Sequence, residues 1–141
     1  PRLSAITMED VFVARLMSTA LHTVTPDTLV EDAAQLILDN NISSVVVVDE
    51  DNRLEGILTT TDFVDIVAKS QPKAQTTVER YMTTDVITAG AQDSIVAVAE
   101  SMTEHGFHHM PVVDEEEGVI GMITTSDLAA YLSQTGKLAR S

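Results

Sequence analysis

Residues 56–63 read Gly-Ile-Leu-Thr-Thr-Thr-Asp-Phe, and residues 121–128 read Gly-Met-Ile-Thr-Thr-Ser-Asp-Leu. The two stretches stand 65 positions apart, and the same offset aligns much of the chain without a gap. Met17 falls on Met82, Thr23 on Thr88, and Val47-Val48-Asp49-Glu50 on Val112-Val113-Asp114-Glu115. Chance matches a few apolar positions, but it rarely repeats an apolar-apolar-Asp-Glu run and a Gly-x-x-Thr-Thr-x-Asp at one spacing. The chain is an internal duplication.

Each copy has the same order of predicted elements. A short extended piece (21–24 and 86–88) leads to a turn at Pro26-Asp27 or Ala89-Gly90-Ala91. Apolar residues at three- and four-residue spacing (Val30, Ala33, Ala34, Ile37; Ile95, Val98, Ala99, Met102) predict helices over 29–39 and 95–105. Asn40-Asn41 and Gly106 suit the left-handed position that ends them. Strands are predicted at 45–48 and 110–113, polar turns at 50–53 and 115–118, and second strands at 56–59 and 119–124. A last helix opens at each Thr-Thr-x-Asp. The expected fold class is α/β of the mixed α+β kind: two pseudo-symmetric strand-helix-strand-strand-helix repeats, 13–69 and 78–134. Around them lie an extension (1–12), a linker (70–77) and a tail (135–141). Residues 1–7 are expected to be foreign to the natural chain, with Met8 as its start. A half of about 60 residues buries little apolar surface alone, so the repeats are expected to pack together and form two related clefts.

Composition narrows the function. Eight basic against 22 acidic side chains give a net charge of −14, a field that repels phosphate backbones and disfavours nucleic acid. No apolar run approaches membrane-spanning length. With no cysteine, thiolate catalysis, disulfides and cysteine zinc sites are excluded, which suits a cytoplasmic protein. Lysine occurs only at 69, 73 and 137; an acidic, lysine-poor surface suits concentrated salt, and a halophilic source is expected.

The repeated Thr-x-x-Asp has two readings that are compatible. As a capping box, Thr59 or Thr124 caps the following helix and the acid returns a hydrogen bond. As a binding group, the carboxylate of Asp62 or Asp127 suits the two hydroxyls of a ribose. Thr59, Thr61, Thr124 and Ser126, with free N–H groups at the helix start, then suit a phosphate. The repetition, with Gly56 and Gly121 ahead of each copy, favours a ligand site. His105, His108 and His109 crowd together, but the helix break at Gly106 scatters them and no metal site is expected. The acidic run 114–117 reads as a solvated turn. There is no Gly-x-Ser-x-Gly, Walker loop or His-Glu-x-x-His, so no enzyme is expected.

Two apolar-Val-Val-Asp strands, each followed by Gly-h-h-Thr-x-x-Asp, resemble a tandem pair of cystathionine beta-synthase (CBS) domains, a Bateman module, over residues 13–134. The resemblance implies a non-catalytic regulatory module that binds AMP, ADP, ATP or S-adenosylmethionine in clefts between the repeats and signals to a partner protein, commonly as a homodimer. The alternative is a structural dimerisation module with empty clefts. The resemblance carries Asp62 and Asp127 over as ribose ligands, with Thr59, Thr61, Thr124 and Ser126 near ribose or phosphate. It assigns Thr23, Val24, Thr88 and Ala89, with backbone at Ile42, Ser43, Phe107 and His108, to adenine. His108 and His109, ahead of Met110 and Pro111, stand where relatives touch phosphate. The first half has Ser43 and Ser44 there, so the second half is expected to be better equipped for an anion.

Overall fold

Four consecutive valines make Ser44–Val48 (β2) a strand buried on both faces, with Val45, Val46 and Val47 at 1% exposure or less. The computed structural model describes residues 10–69 and 76–140. Residues 1–9, most of the expected linker (70–75) and Ser141 lie outside them. The chain divides into two compact units. The first comprises Ala20–Val86 with Glu115–Val119; the second comprises residues up to Thr19, Ile87–Asp114 and the chain from Ile120 on.

In the first unit, Thr23–Val24 (β1) runs parallel to β2, and Leu54–Thr59 (β3) runs antiparallel to it, pairing Ser44 with Thr59 and Val47 with Gly56. Helix Val30–Asn40 (α2) lays Val30, Ala33 and Ile37 on Val45, Val47 and Leu58, and Ile66 of helix Thr60–Lys69 (α3) joins them. Asn41 ends α2 in the left-handed conformation at φ 52°. The second unit repeats the scheme. Helix Ile95–His105 (α4) places Val98 and Met102 against Met110 and Val112 of His109–Asp114 (β4) and Ile123 of Gly118–Thr124 (β5). Gly106 ends α4 at φ 73°.

Two expectations are corrected. No strand forms at 86–88; only a parallel bridge, Ala89 to Val112, remains. In the first unit Val46 donates its N–H to His22, whereas its counterpart Pro111 has no N–H to give. Helix Thr125–Arg140 (α5) takes in residues 135–140 of the expected tail. The acidic turn keeps Glu115, Glu116 and Glu117 exposed, as expected, and its backbone is tied down: Asn52 Nδ2 donates to the carbonyls of Glu117 (2.9 Å) and Val119 (2.8 Å), and the Arg53 guanidinium to those of Glu115 and Glu116.

Short segments ahead of each repeat complete the cores. Val13–Leu16 (α1) places Val13 in the second unit's core, and the 3-10 turn Val78–Arg80 places Val78 in the first unit's. Thr76 accepts from the first N–H of α2, and Val11 from that of α4, satisfying donors that a helix start leaves open. Beyond these turns, Thr83 forms an antiparallel bridge with Ile57, and Ser18 one with Met122. Each segment thus closes the unit built around the other repeat.

This closure explains the glycines. A Cβ on Gly56 would lie 2.7 Å from the Thr83 carbonyl oxygen and 2.9 Å from Met82 Sδ; on Gly121 it would lie 3.0 Å from the Ser18 oxygen and 2.8 Å from Met17 Sδ. The repeated methionines and glycines are mates, and the glycines answer to packing rather than to a ligand. Gly56→Ala and Gly121→Ala are each expected to destabilise the fold by about 1–3 kcal/mol through overpacking, read as a lower urea midpoint with an unchanged slope.

Candidate functional site

The start of α3 follows directly from β3, and that of α5 from β5, so each Thr-Thr-x-Asp sits where a strand turns into a helix. Asp62 Oδ2 accepts from the Thr59 N–H (2.8 Å) and the Thr59 hydroxyl (3.1 Å), while the Asp62 N–H points back to Thr59 Oγ1 (3.4 Å). Asp127 and Thr124 repeat the set at 2.8, 3.1 and 3.2 Å. The capping box is therefore present twice. It occupies one oxygen of each carboxylate; among the described residues nothing donates to Oδ1 of Asp62 or Asp127. Both acids are half-buried, and Thr61 and Ser126 beside them are exposed.

The start of the neighbouring strand is tied to the motif. The Thr60 N–H donates to the Ser43 carbonyl at 3.0 Å, and the Thr125 N–H to that of His108 at 3.1 Å. In the first unit the β1–β2–β3 order brings the Thr23–Val24 strand, Ser43 and the Thr59–Asp62 box onto one sheet end. Thr23 is exposed; Val24 and Ile42 are half-buried and pack on the core. In the second unit Thr88 is exposed and His109 half-buried. Ala89, Met110 and Pro111 are core residues; both backbone groups of Ala89 are already paired, to Pro111 and Val113, so these three have little side chain to offer a ligand.

The N–H groups expected to be free for a phosphate are largely engaged. In each motif the N–H of the first threonine and of the aspartate closes the box, and that of the second threonine goes to residue 43 or 108. Sequence patterns alone could not reveal the strand-start carbonyls as acceptors, because the pairing spans 17 positions of chain.

His105 stacks on Phe107 (centroids 6.1 Å apart, planes at 5°) and its Nδ1 lies 3.0 Å from the Ser101 carbonyl. No group of three or more His, Cys, Asp or Glu among the described residues is arranged to hold a metal. Phe107 and His108 line an open depression of about 480 Å³ with Met102, Leu128 and Leu132, which does not include Asp127. No described helix is long and apolar enough to cross a membrane.

Burial, reinforced by the neighbouring His108, pushes His109 below the ordinary histidine value of 6.5. The unfolded chain then takes up the proton first. His109 contributes stability that is present above pH 6.5 and is lost as pH falls through its folded value. The His109 imidazole is expected to titrate below 6.5 by NMR, and His109→Gln to flatten the acid limb of urea midpoint against pH.

The family model described as "CBS domain" matches residues 13–69 and 78–134. The chain is 32% identical over 121 residues to the homoserine O-acetyltransferase of Methanosalsum zhilinae, covering 86% of this chain and 24% of that protein. It is 31% identical to an uncharacterized 17.7 kDa protein of Acidianus ambivalens, covering 85% and 72%. The L-aspartate semialdehyde sulfurtransferase of Methanocaldococcus jannaschii is 31% identical, covering 92% and 24%. The chain thus spans about a quarter of these two enzymes. Among solved structures, the CBS domain pair of protein MJ0100, in complex with 5′-methylthioadenosine and S-adenosyl-L-methionine, superposes with a TM-score of 0.81 at 28% identity, covering 89% of this chain and 98% of that one. The CBS-domain protein ATU1752 of Agrobacterium tumefaciens gives 0.76 at 29%, covering 86% and 98%.

Proposed function

The chain belongs to the CBS domain family, and from that premise we propose that it is a non-catalytic regulatory module in which each repeat grips the ribose of an adenosine-bearing ligand (AMP, ADP, ATP or S-adenosylmethionine) and reports it to a partner protein. Asp62 and Asp127 carry this reading. Each is fixed by its own helix start through one carboxylate oxygen, so the other is held in place, ready for ribose hydroxyls without a further entropy cost. Thr61 and Ser126 stand exposed beside them, and Thr23 and Thr88 remain the candidates for the adenine side. The relative solved with two adenosine compounds supports the ligand class. The two enzymes of which this chain matches about a quarter support a regulatory role, because the rest of each enzyme lies outside the match. A ligand moves a partner only by its different affinity for two states.

An adenosine ligand at about ten times its Kd is expected to stabilise the fold by about 1.4 kcal/mol, because it binds only the folded state. Asp62→Asn with Asp127→Asn keeps an acceptor for each cap but loses charge and ribose contacts. The double variant is expected to melt near the parent temperature and to lose most of the ligand-induced rise. If no adenosine compound shifts the parent protein, the proposal fails.

Homodimer formation belongs to the same reading. Val64 (68% exposed) and Val67 (72%) stand three positions apart on α3, and Leu38 on α2 is 73% exposed; large apolar side chains left open to water favour a partner surface. Sedimentation is expected to show a dimer that Val67→Glu dissociates; a monomeric parent chain rules it out.

A further inference from the structure

We propose that Met17 and Met82 are paired oxidation sites, and that their conversion to methionine sulfoxide by a hydroperoxide releases the segment that closes each unit. The sequence holds no cysteine, so the oxidisable sulfur of this chain is thioether sulfur. Five of the six methionines lie among the described residues. Met102, Met110 and Met122 are buried, at 3%, 1% and 8% exposure, whereas Met17 and Met82 are half-buried and pack on the outside of their cores. Oxidation of a thioether follows its exposure, so a small peroxide reaches these two before the other three.

Both sulfurs lie against the glycine of the strand that their segment closes. A Cβ on Gly56 would stand 2.9 Å from Met82 Sδ, and one on Gly121 2.8 Å from Met17 Sδ, so no further atom fits between sulfur and strand. Neither segment is free to retreat. The Met82 N–H donates to the Val78 carbonyl and the Met17 N–H to that of Val13, each at 2.9 Å. The next residue exchanges a pair of bonds with the strand, Thr83 with Ile57 at 2.9 and 3.0 Å and Ser18 with Met122 at 2.8 and 2.9 Å. In the oxidation the sulfur lone pair takes the terminal oxygen of the hydroperoxide. An S–O bond forms as the O–O bond breaks, and the proton of the transferred oxygen passes to the departing one, which leaves as water or an alcohol. The sulfur loses two electrons and the peroxide gains them. The product carries a polar oxygen where the fold holds an apolar chain, beside the paired backbone bonds. Loosening them draws Val78 or Val13, one turn away, out of the core it seals.

Peptide mass spectrometry of the full chain treated with hydrogen peroxide is expected to find one oxygen added at Met17 and Met82 at least about fivefold faster than at Met102, Met110 or Met122. The oxidised chain is expected to unfold at lower urea. It is expected to regain the parent midpoint once methionine sulfoxide reductases A and B, which take one sulfoxide epimer each, have returned both residues to their original mass. A chain with Met17→Leu and Met82→Leu keeps apolar contacts of similar volume and is expected to hold its midpoint through the same peroxide dose. Oxidation at Met17 and Met82 no faster than at the three buried methionines overturns the proposal. So does full oxidation of both with the midpoint unmoved or not restored on reduction, or a leucine chain that peroxide weakens as much as the parent. Should the leucine chain not fold, the parent's cycle of oxidation and reduction decides.

Discussion

One close approach in each unit, a carbonyl and a methionine pressed onto a glycine, governs the rest. Gly56 admits the Met82-Thr83 segment and Gly121 the Met17-Ser18 segment. From that approach come the bridges to Ile57 and Met122, the valine that seals each core, and the carbonyls that cap α2 and α4. A side chain in place of either hydrogen would push away a segment that serves strand, core and helix at once. The glycine therefore precedes the threonines for a mechanical reason, and the strand it belongs to delivers the motif.

In the proposed function, the motif divides one carboxylate between two tasks. Helix capping asks for one acceptor and a rigid rotamer; sugar recognition asks for a pre-positioned acceptor facing outward. Aspartate, with two equivalent oxygens on a short stem, meets both demands, whereas serine or threonine as the capping partner would offer the sugar far less. The same hydrogen bonds that fix the acid also engage the N–H groups of the first threonine and of the aspartate.

Much of this was legible in the residues. The apolar spacing at 30, 33, 34 and 37 and at 95, 98, 99 and 102 located α2 and α4 to within a residue, and Asn41 and Gly106 fall where left-handed caps were expected. What escaped was set by contacts distant in sequence. Pro111 erases a strand whose own residues look extended, because the missing N–H belongs to the neighbour. Asn52 and Arg53 reach across some 65 positions to tie down an acidic turn. The closing segments at 13–18 and 78–83 were signalled by Val13 with Val78, Arg15 with Arg80 and Met17 with Met82. Each segment, however, finds its mate in the other repeat, which no local pattern discloses.

That crossing has a consequence for how such a chain can be divided or can have arisen. Residues 13–69 made alone would carry a filler without its groove and a groove without its filler, and so would residues 78–134. Two identical half-chains can satisfy each other only by reciprocal exchange, one lending its leading peptide to its twin. Doubling the gene in tandem makes that loan permanent: the trade between molecules becomes a fold within one, and each copy is then free to differ, as a proline and a histidine pair present in one copy alone illustrate.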